Sequence, residues 1–144
     1  MAILEKQQIG ASVRVWRSAR GQLRTERPAR EVCIFRATGH LEASFADLFE
    51  EVVLDAVKVG RPHLFWDGEA MTGYDTEFRQ RIGECCVRVK PSVSAMNVFT
   101  PNRFVAMGAA VINLWVGNFF TIFRERAVFE ECLQDSLPVS SKRL

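Results

Sequence analysis

Alternating apolar and polar positions predict two strands in the first third of the chain. The alternation covers residues 9–16 and 31–41, and in the second segment the odd-numbered positions 33–37 are apolar and share one face. The arginine-rich segment 14–30 lies between and around these strands. Since Trp16 is the one aromatic residue among its arginines, a solvated hairpin or loose loop is favoured over an anion-facing or partner-facing edge.

Apolar residues at helical spacing predict helices farther along the chain. The first helix covers residues 44–59, with Ser44 as its N-cap and Asp47 at the spacing of a capping box. The second covers residues 76–90, with Asp75 as its N-cap. A third amphipathic segment, residues 125–133, predicts the last helix.

Short apolar segments bounded by turn residues predict two further strands. Residues 62–66 form a buried strand, and residues 94–100 form an alternating one. Residues 67–74, which contain two glycines and two acidic residues between the first of these strands and the second helix, are predicted to be a loop.

Residues 104–123, FVAMGAAVINLWVGNFFTIF, contain no charged residue and have the length of a membrane span. Gly117 followed by Asn118 is a typical helix end, and unpartnered asparagines would be costly in lipid. The stretch is therefore predicted to divide into a helix, residues 103–116, and a strand, residues 118–123. The division favours the core of a water-soluble domain over a span.

The order of these elements predicts the class of fold. The sequence of strand, strand and then alternating helices and strands requires a sheet with helices packed on it, and the long crossovers make parallel neighbours. We therefore predict a single-domain α/β protein with a mixed sheet of about five strands and about four helices. The domain covers residues 1–135, and residues 136–144 form a polar tail.

Composition excludes several classes of function. A net charge of +2 without a run of basic residues argues against nucleic-acid binding. The first ten residues lack the pattern of a signal peptide, and cytoplasmic localisation is expected. Cys33, Cys85, Cys86 and Cys132 show no CxxC spacing and are predicted to be reduced, buried thiols. A redox or metal site at the adjacent pair is the alternative.

The usual catalytic motifs are missing from the sequence. His40 and His63 stand alone, so no catalytic residue, metal site or cofactor is predicted. A residual enzyme hypothesis rests on Asp67 and Glu69 together with His63, because ligands gather at the ends of parallel strands. Solvation of a loop is the favoured interpretation of these carboxylates.

Two stretches resemble the SpoIIAA-like group of small domains, which includes the STAS and SEC14-like domains. They are HLFWDGEAMTGYDTEFR, residues 63–79, and NVFTPNRFVAMGAAVINL, residues 97–114, and the similar order of elements covers residues 9–133. The resemblance implies a SpoIIAA-like sheet with helices. On the SEC14-like side it implies a cleft for an apolar ligand.

The resemblance also implies a site at the start of the second helix. In STAS domains that act as anti-sigma factor antagonists, a strand ends in an Asp, and about eight residues later an Asp-Ser pair opens the next helix and its Ser is phosphorylated. Asp67 matches the first Asp, and Asp75 and Thr76 match the pair. Glu77 and Phe78 depart from the family pattern of a small residue and Gly, and Glu77 would repel a phosphate.

Two functional hypotheses follow. The first is a non-catalytic regulatory or protein-interaction domain of the STAS type that binds a protein partner through residues 67–81. The second is a carrier or sensor of a small apolar or lipid-like ligand, although aromatic and Met side chains at these spacings more often form simple core. Homodimerisation through an exposed strand edge is a further prediction. The cleft of the second hypothesis would be lined by Phe65, Trp66, Met71, Tyr74, Phe99, Met107 and Trp115.

Overall fold

A mixed seven-stranded sheet runs through the computed structural model, which describes residues 4–139. The strands lie side by side in chain order. Neighbours from β1 to β4 are antiparallel, and neighbours from β4 to β7 are parallel. The strands are β1 (Glu5–Ile9), β2 (Val13–Arg17), β3 (Gly21–Ala29), β4 (Val32–Leu41), β5 (His63–Tyr74), β6 (Ala95–Phe99) and β7 (Phe120–Phe123).

Four α-helices follow the parallel strands within residues 4–139. They are α1 (Phe45–Val57), α2 (Thr76–Val89), α3 (Arg103–Val116) and α4 (Arg126–Ser136). Helices α1, α2 and α3 pack on one face of the sheet and enclose the larger core, whereas α4 packs on the opposite face over a smaller one. Three right-handed crossovers that advance in one direction across the sheet place their helices on the same side.

The predicted class and the four helices are confirmed, but the predicted count of about five strands is wrong. Residues 9–16 do not form one strand, because the chain turns at Gly10, whose φ of +68° favours glycine. The preceding residues form β1, which is exposed throughout and polar except for Ile9. The arginine-rich segment contributes β3 in addition to β2, so the hairpin interpretation is the correct one there.

The arginines of this segment are held in the sheet because acidic residues lie opposite them. Arg14 pairs with Glu51 and Asp55 of α1 at 3.4 and 3.0 Å, and Arg24 pairs with Glu26 at 3.1 Å. Leu23, next to Arg24 on β3, is fully buried in the core. These ion pairs and the buried face of β3 therefore stabilise strands in a segment whose composition favours a loop.

Residues 67–74 form the second half of β5, so their prediction as a loop is wrong. They pair in parallel with residues 38–41 of β4, and two register shifts interrupt the ladder. At Gly73 an added Cβ would lie 3.1 Å from Nδ1 of His40, so the small residue allows the strands to approach at this point. In the sequence these glycines indicate a turn, but in the structure they allow neighbouring strands to pack closely.

The uncharged stretch divides as predicted. Gly117, with φ of +85°, ends α3 in the left-handed conformation, and β7 begins three residues later. The side chain of Asn113 accepts a hydrogen bond from the backbone N–H of Phe120 at 2.6 Å and donates to its carbonyl at 3.3 Å. In residues 4–139, no helix has both the length and the apolarity needed to cross a membrane.

The predicted capping box of α1 is not formed. Ser44 precedes the helix but makes no side-chain cap, and Asp47 pairs with Arg81 of α2 instead. The well-formed cap belongs to α3, where Oδ1 of Asn102 accepts from the N–H groups of Phe104 and Val105 at 2.9 and 3.2 Å.

The predicted end of the domain at residue 135 lies one residue before the end of α4. The last five residues of the predicted tail lie outside the described residues.

Replacing Gly117 with Ala should lower the free energy of unfolding by about 1–2 kcal/mol, because a Cβ disfavours the left-handed conformation. Gly117→Asn should lose less, since Asn tolerates that conformation. Urea denaturation followed by circular dichroism measures both variants. Equal stability of Gly117→Ala and the unmodified chain would contradict the division of the stretch at this residue.

Candidate functional site

Asp67 lies in the middle of β5 and faces α4, opposite in direction to its neighbour Trp66, which lies in the larger core. Its buried carboxylate accepts hydrogen bonds from Nη1 of Arg36 at 2.7 Å and from Nη2 of Arg126 at 2.8 and 2.9 Å. The carboxylate also accepts from the backbone N–H of Glu69 at 3.2 Å. Two guanidinium groups therefore neutralise a buried charge that would otherwise be costly.

Arg126 connects this carboxylate to the first turn of α4. It also pairs with Glu69 at 3.0 Å and with Glu130 one turn along the helix, and it lies 5.0 Å from the centre of the Phe99 ring. The hydrogen bond with Asp67 and the further bond with Glu69 raise the pKa of Arg126 despite partial burial. The group is a fixed cation, and its contacts fasten α4 to the sheet.

The residues of the enzyme hypothesis do not meet. Within residues 4–139, no hydrogen bond or ion pair connects His63 with Asp67 or Glu69. His63 lies at the beginning of β5, whereas Asp67 is engaged by two arginines. The carboxylates therefore have an evident structural use in holding α4.

Asp75 and Thr76 lie at the start of α2, as predicted, but Asp75 does not cap the helix with its side chain. Nε2 of His40 donates to Oδ1 of Asp75 at 2.6 Å, and Nη1 of Arg20 lies 3.8 Å from the same oxygen. Thr76 and Glu77 are exposed. The first N–H groups of α2 are thus left without a side-chain cap next to an exposed hydroxyl.

The turn between β2 and β3 makes further hydrogen bonds near His40 and Asp75. Oγ of Ser18 donates to Oε1 of the buried Glu42 at 2.8 Å, and the backbone N–H of His40 donates to the carbonyl of Arg20 at 3.0 Å. The backbone N–H of Asp75 donates to the carbonyl of Leu41 at 2.9 Å. Sequence reasoning missed Arg20 and treated His40 as isolated, because both partners lie many residues from Asp75.

An apolar cavity of about 50 Å³ lies between α2, α3 and the sheet. Three of the predicted ligand-binding residues, Trp66, Met71 and Tyr74, line it. Further lining residues are Phe78 and Ile82 of α2, and Val105, Ala109 and Ile112 of α3. The cavity therefore lies in the predicted place, between the sheet and the helices.

The other four predicted ligand-binding residues do not line this cavity. Phe65 and Phe99 belong to the smaller core under α4, on the far side of the sheet. Met107 and Trp115 are exposed on the outer side of α3. The two-residue period of β5 and β6 places Phe65 and Phe99 on the opposite face, and about half a turn of α3 separates outward from inward positions.

The cysteines behave as core residues. Cys33, Cys85 and Cys86 are buried and Cys132 is half-buried, and all four are free thiols. Burial raises the pKa of Cys33 to about 11 and that of Cys85 to about 12, with a smaller contribution from Glu50 to the latter. Burial likewise raises the pKa of Cys86 and of Cys132. Within residues 4–139, no three His, Cys, Asp or Glu side chains are placed to hold a metal ion.

Comparison with known proteins yields a match at the level of the fold. No family model matches the chain, and no curated protein matches it. Several solved structures do match. One is an uncharacterised protein of the DUF3478 family with a SpoIIAA-like fold from Shewanella loihica, with a TM-score of 0.55 and 10% identity over 92% of this chain and 93% of that one.

The second matching structure is the anti-sigma factor antagonist SpoIIAA in its unphosphorylated form. Its TM-score is 0.60 and its identity is 12%, over 81% of this chain and 99% of SpoIIAA. The chain has the SpoIIAA-like fold. The resemblance stated from the two sequence stretches is confirmed at this level.

Within the SpoIIAA-like fold, the two parts of the predicted switch lie apart. The resemblance implies an Asp at a strand end, but β5 continues from Asp67 through Tyr74. Asp67 contacts arginines on the α4 side, whereas Asp75 contacts Arg20 and His40 at the start of α2. Asp75 and Thr76 therefore remain as the candidate site, and Asp67 supports the fold.

Asp67→Asn should lower the free energy of unfolding by about 2 kcal/mol, because two charge-assisted hydrogen bonds lose their anion. Glu69→Gln is the matched control, since it removes a neighbouring, more exposed carboxylate that also contacts Arg126, and it should cost less than about 0.5 kcal/mol. Both are measured by urea denaturation. Similar losses in the two variants would show that Asp67 does not have this special role.

Proposed function

We propose that this protein is a non-catalytic regulatory domain of the STAS type, which binds a protein partner through the exposed start of α2, within the segment 67–81. The observation that carries the proposal is the start of α2. An exposed Thr76 hydroxyl stands there in the first helical turn, beside N–H groups that no side chain caps.

The contacts of Asp75 leave the first N–H groups of α2 available to an anion. His40 and Arg20 hold the carboxylate away from the helix end. A partner's carboxylate, or a phosphate on Thr76, could therefore accept from the first N–H groups of α2 and interact with the positive end of its dipole. Phosphorylation would add charge close to Glu77 and change the affinity of the partner.

The comparisons support the proposal through the fold. SpoIIAA is an anti-sigma factor antagonist, which is a protein that acts on another protein. At 12% identity the likeness extends to the fold, and the partner of the present chain is inferred from its own surface. Four free thiols suit a reducing compartment, and we place this activity in the cytoplasm.

A photo-crosslinking side chain tests the surface. Placed at Gln80, which is exposed on α2, it should cross-link one partner in the source cell, while the same group at Glu131, exposed on α4, should not. The Thr76→Asp variant should change the yield of the cross-linked product at Gln80 several-fold, because it adds charge at the start of the helix. The Thr76→Val variant adds no charge and should leave this yield unchanged. Mass spectrometry identifies and quantifies the product.

Cross-linking of the same proteins at both positions, or insensitivity of the yield to Thr76→Asp, would contradict the proposal. A search for phosphate on Thr76 by mass spectrometry, with Thr76→Ala as its control, tests the modification separately.

The apolar cavity favours a second candidate function, the carriage of a small apolar ligand. Its present volume of about 50 Å³ holds no lipid-sized molecule, so a ligand would enter only if α2 and α3 separated. An apolar cavity of this kind stays dry and binds apolar guests when they fit.

Gly108 provides a direct test of this candidate. It lines the cavity, and an added Cβ would lie 2.1 Å from the hydroxyl oxygen of Tyr74. If the protein is a carrier, native mass spectrometry of the unmodified chain should show a co-purified apolar ligand. The Gly108→Leu variant should lack this ligand, because the new side chain fills the cavity. The control Ala110→Leu, on the exposed side of α3, should retain the ligand. A ligand-free chain in all three preparations would exclude the carrier.

A further inference from the structure

The outer side of α3 is apolar from Phe104 to Trp115. Five of its large apolar side chains are exposed, and their spacing of three or four residues, with one adjacent pair, is that of a coiled-coil seam. We call these residues the α3 stripe. They are Phe104 (58% exposed), Met107 (67%), Val111 (50%), Leu114 (82%) and Trp115 (54%).

The stripe is separate from the face that α3 uses for folding. The side of the helix that packs on the sheet and α2 carries a different set of buried residues: Val105, Gly108, Ala109, Ile112 and Val116. A helix that is apolar on both sides has a second surface to bury. The largest apolar patch on a typical monomer is about 300–600 Å² and is often functional, and five large side chains exposed by half or more reach that scale.

The two ends of the stripe are held in place by neighbouring residues. The Phe104 ring stacks on Tyr74, with centroids 5.4 Å apart and planes at 25°. The Trp115 ring lies over Gly83 of α2, where an added Cβ would be 2.4 Å from the ring. Val87, one turn beyond Gly83, is also exposed and extends the patch. Rigid aromatic residues of this kind anchor interfaces at low entropic cost.

We propose that the α3 stripe is the interface of a homodimer, in which α3 of a second copy lies antiparallel against it. The stripe is complementary to itself in that arrangement. With the two-fold axis between the Met107 and Val111 side chains, Phe104 of each copy lies opposite Trp115 of the other, and Met107 lies opposite Val111. Both copies use the same surface, so the interface is isologous.

Charge also favours a second copy. No charged residue occurs from residue 104 to residue 123, so two copies meet without like-charge repulsion, and the stripe presents no charge that would select a different protein. A standard interface buries about 800 Å² on each partner. The stripe together with Val87 supplies the apolar centre of such an area, and the polar residues that border it supply the rim.

Size-exclusion chromatography with light scattering tests the proposal at several protein concentrations. The unmodified chain should have twice the monomer mass of 16.3 kDa, and Leu114→Glu should have the monomer mass, because it places a charge in an apolar interface. Leu54→Glu is the matched control, since Leu54 is an exposed leucine on α1 outside the stripe, and it should remain dimeric. Circular dichroism confirms that both variants fold.

An unmodified chain that is monomeric at every concentration, or a Leu114→Glu variant that remains dimeric, would overturn the proposal. If the monomeric chain then bound phosphatidylcholine vesicles and Leu114→Glu did not, the stripe would be assigned to a lipid surface instead.

Disulfide trapping in a Cys132→Ser background tests the antiparallel geometry. Val111→Cys, close to the two-fold axis, should form a covalent dimer under mild oxidation, and Phe104→Cys, far from the axis, should not. Efficient trapping at both positions would indicate parallel helices, and trapping at neither would place the contact elsewhere. Either result would overturn the antiparallel arrangement.

Discussion

The central strand β5 has to be covered on both faces, and most of the structure follows from that requirement. On one face Trp66 packs against Phe35 and Phe78, with ring centroids 5.8 and 6.1 Å apart, under the row of helices α1 to α3. On the other face Phe65 packs against Phe129 of α4 at 5.9 Å. A parallel strand that is exposed on neither side needs helices on both.

The short helix α4 covers only part of its face, and an ion-pair network completes the cover. Asp67, between Arg36 and Arg126, lies where the aromatic cluster under α4 ends. Its charge is tolerable there because two guanidinium groups and a backbone N–H surround it. Asp67 is therefore occupied by the fold, which leaves the start of α2 as the polar surface available to a partner.

The order of the helices also explains why α3 has an exposed apolar side. Helices α1, α2 and α3 lie in a row on the sheet, with α2 packed between its two neighbours. Helix α3 is last in that row and contacts another helix of the row only at α2. Its far side, with Met107 and Leu114, is thus left open by the topology, although the sequence there is as apolar as that of a core helix.

The sequence by itself determined the elements whose cause is local. Helical periodicity located the four helices, and Gly117 divided the uncharged stretch, because a left-handed residue ends a helix whatever surrounds it. Alternation predicted which side chains of β4 share a face. Tertiary structure alone decided that residues 67–74 extend β5, that Asp67 meets Arg126 and Asp75 meets His40, and that Met107 and Trp115 point outward. These outcomes depend on pairing between distant segments, and neither composition nor periodicity records which segments become neighbours.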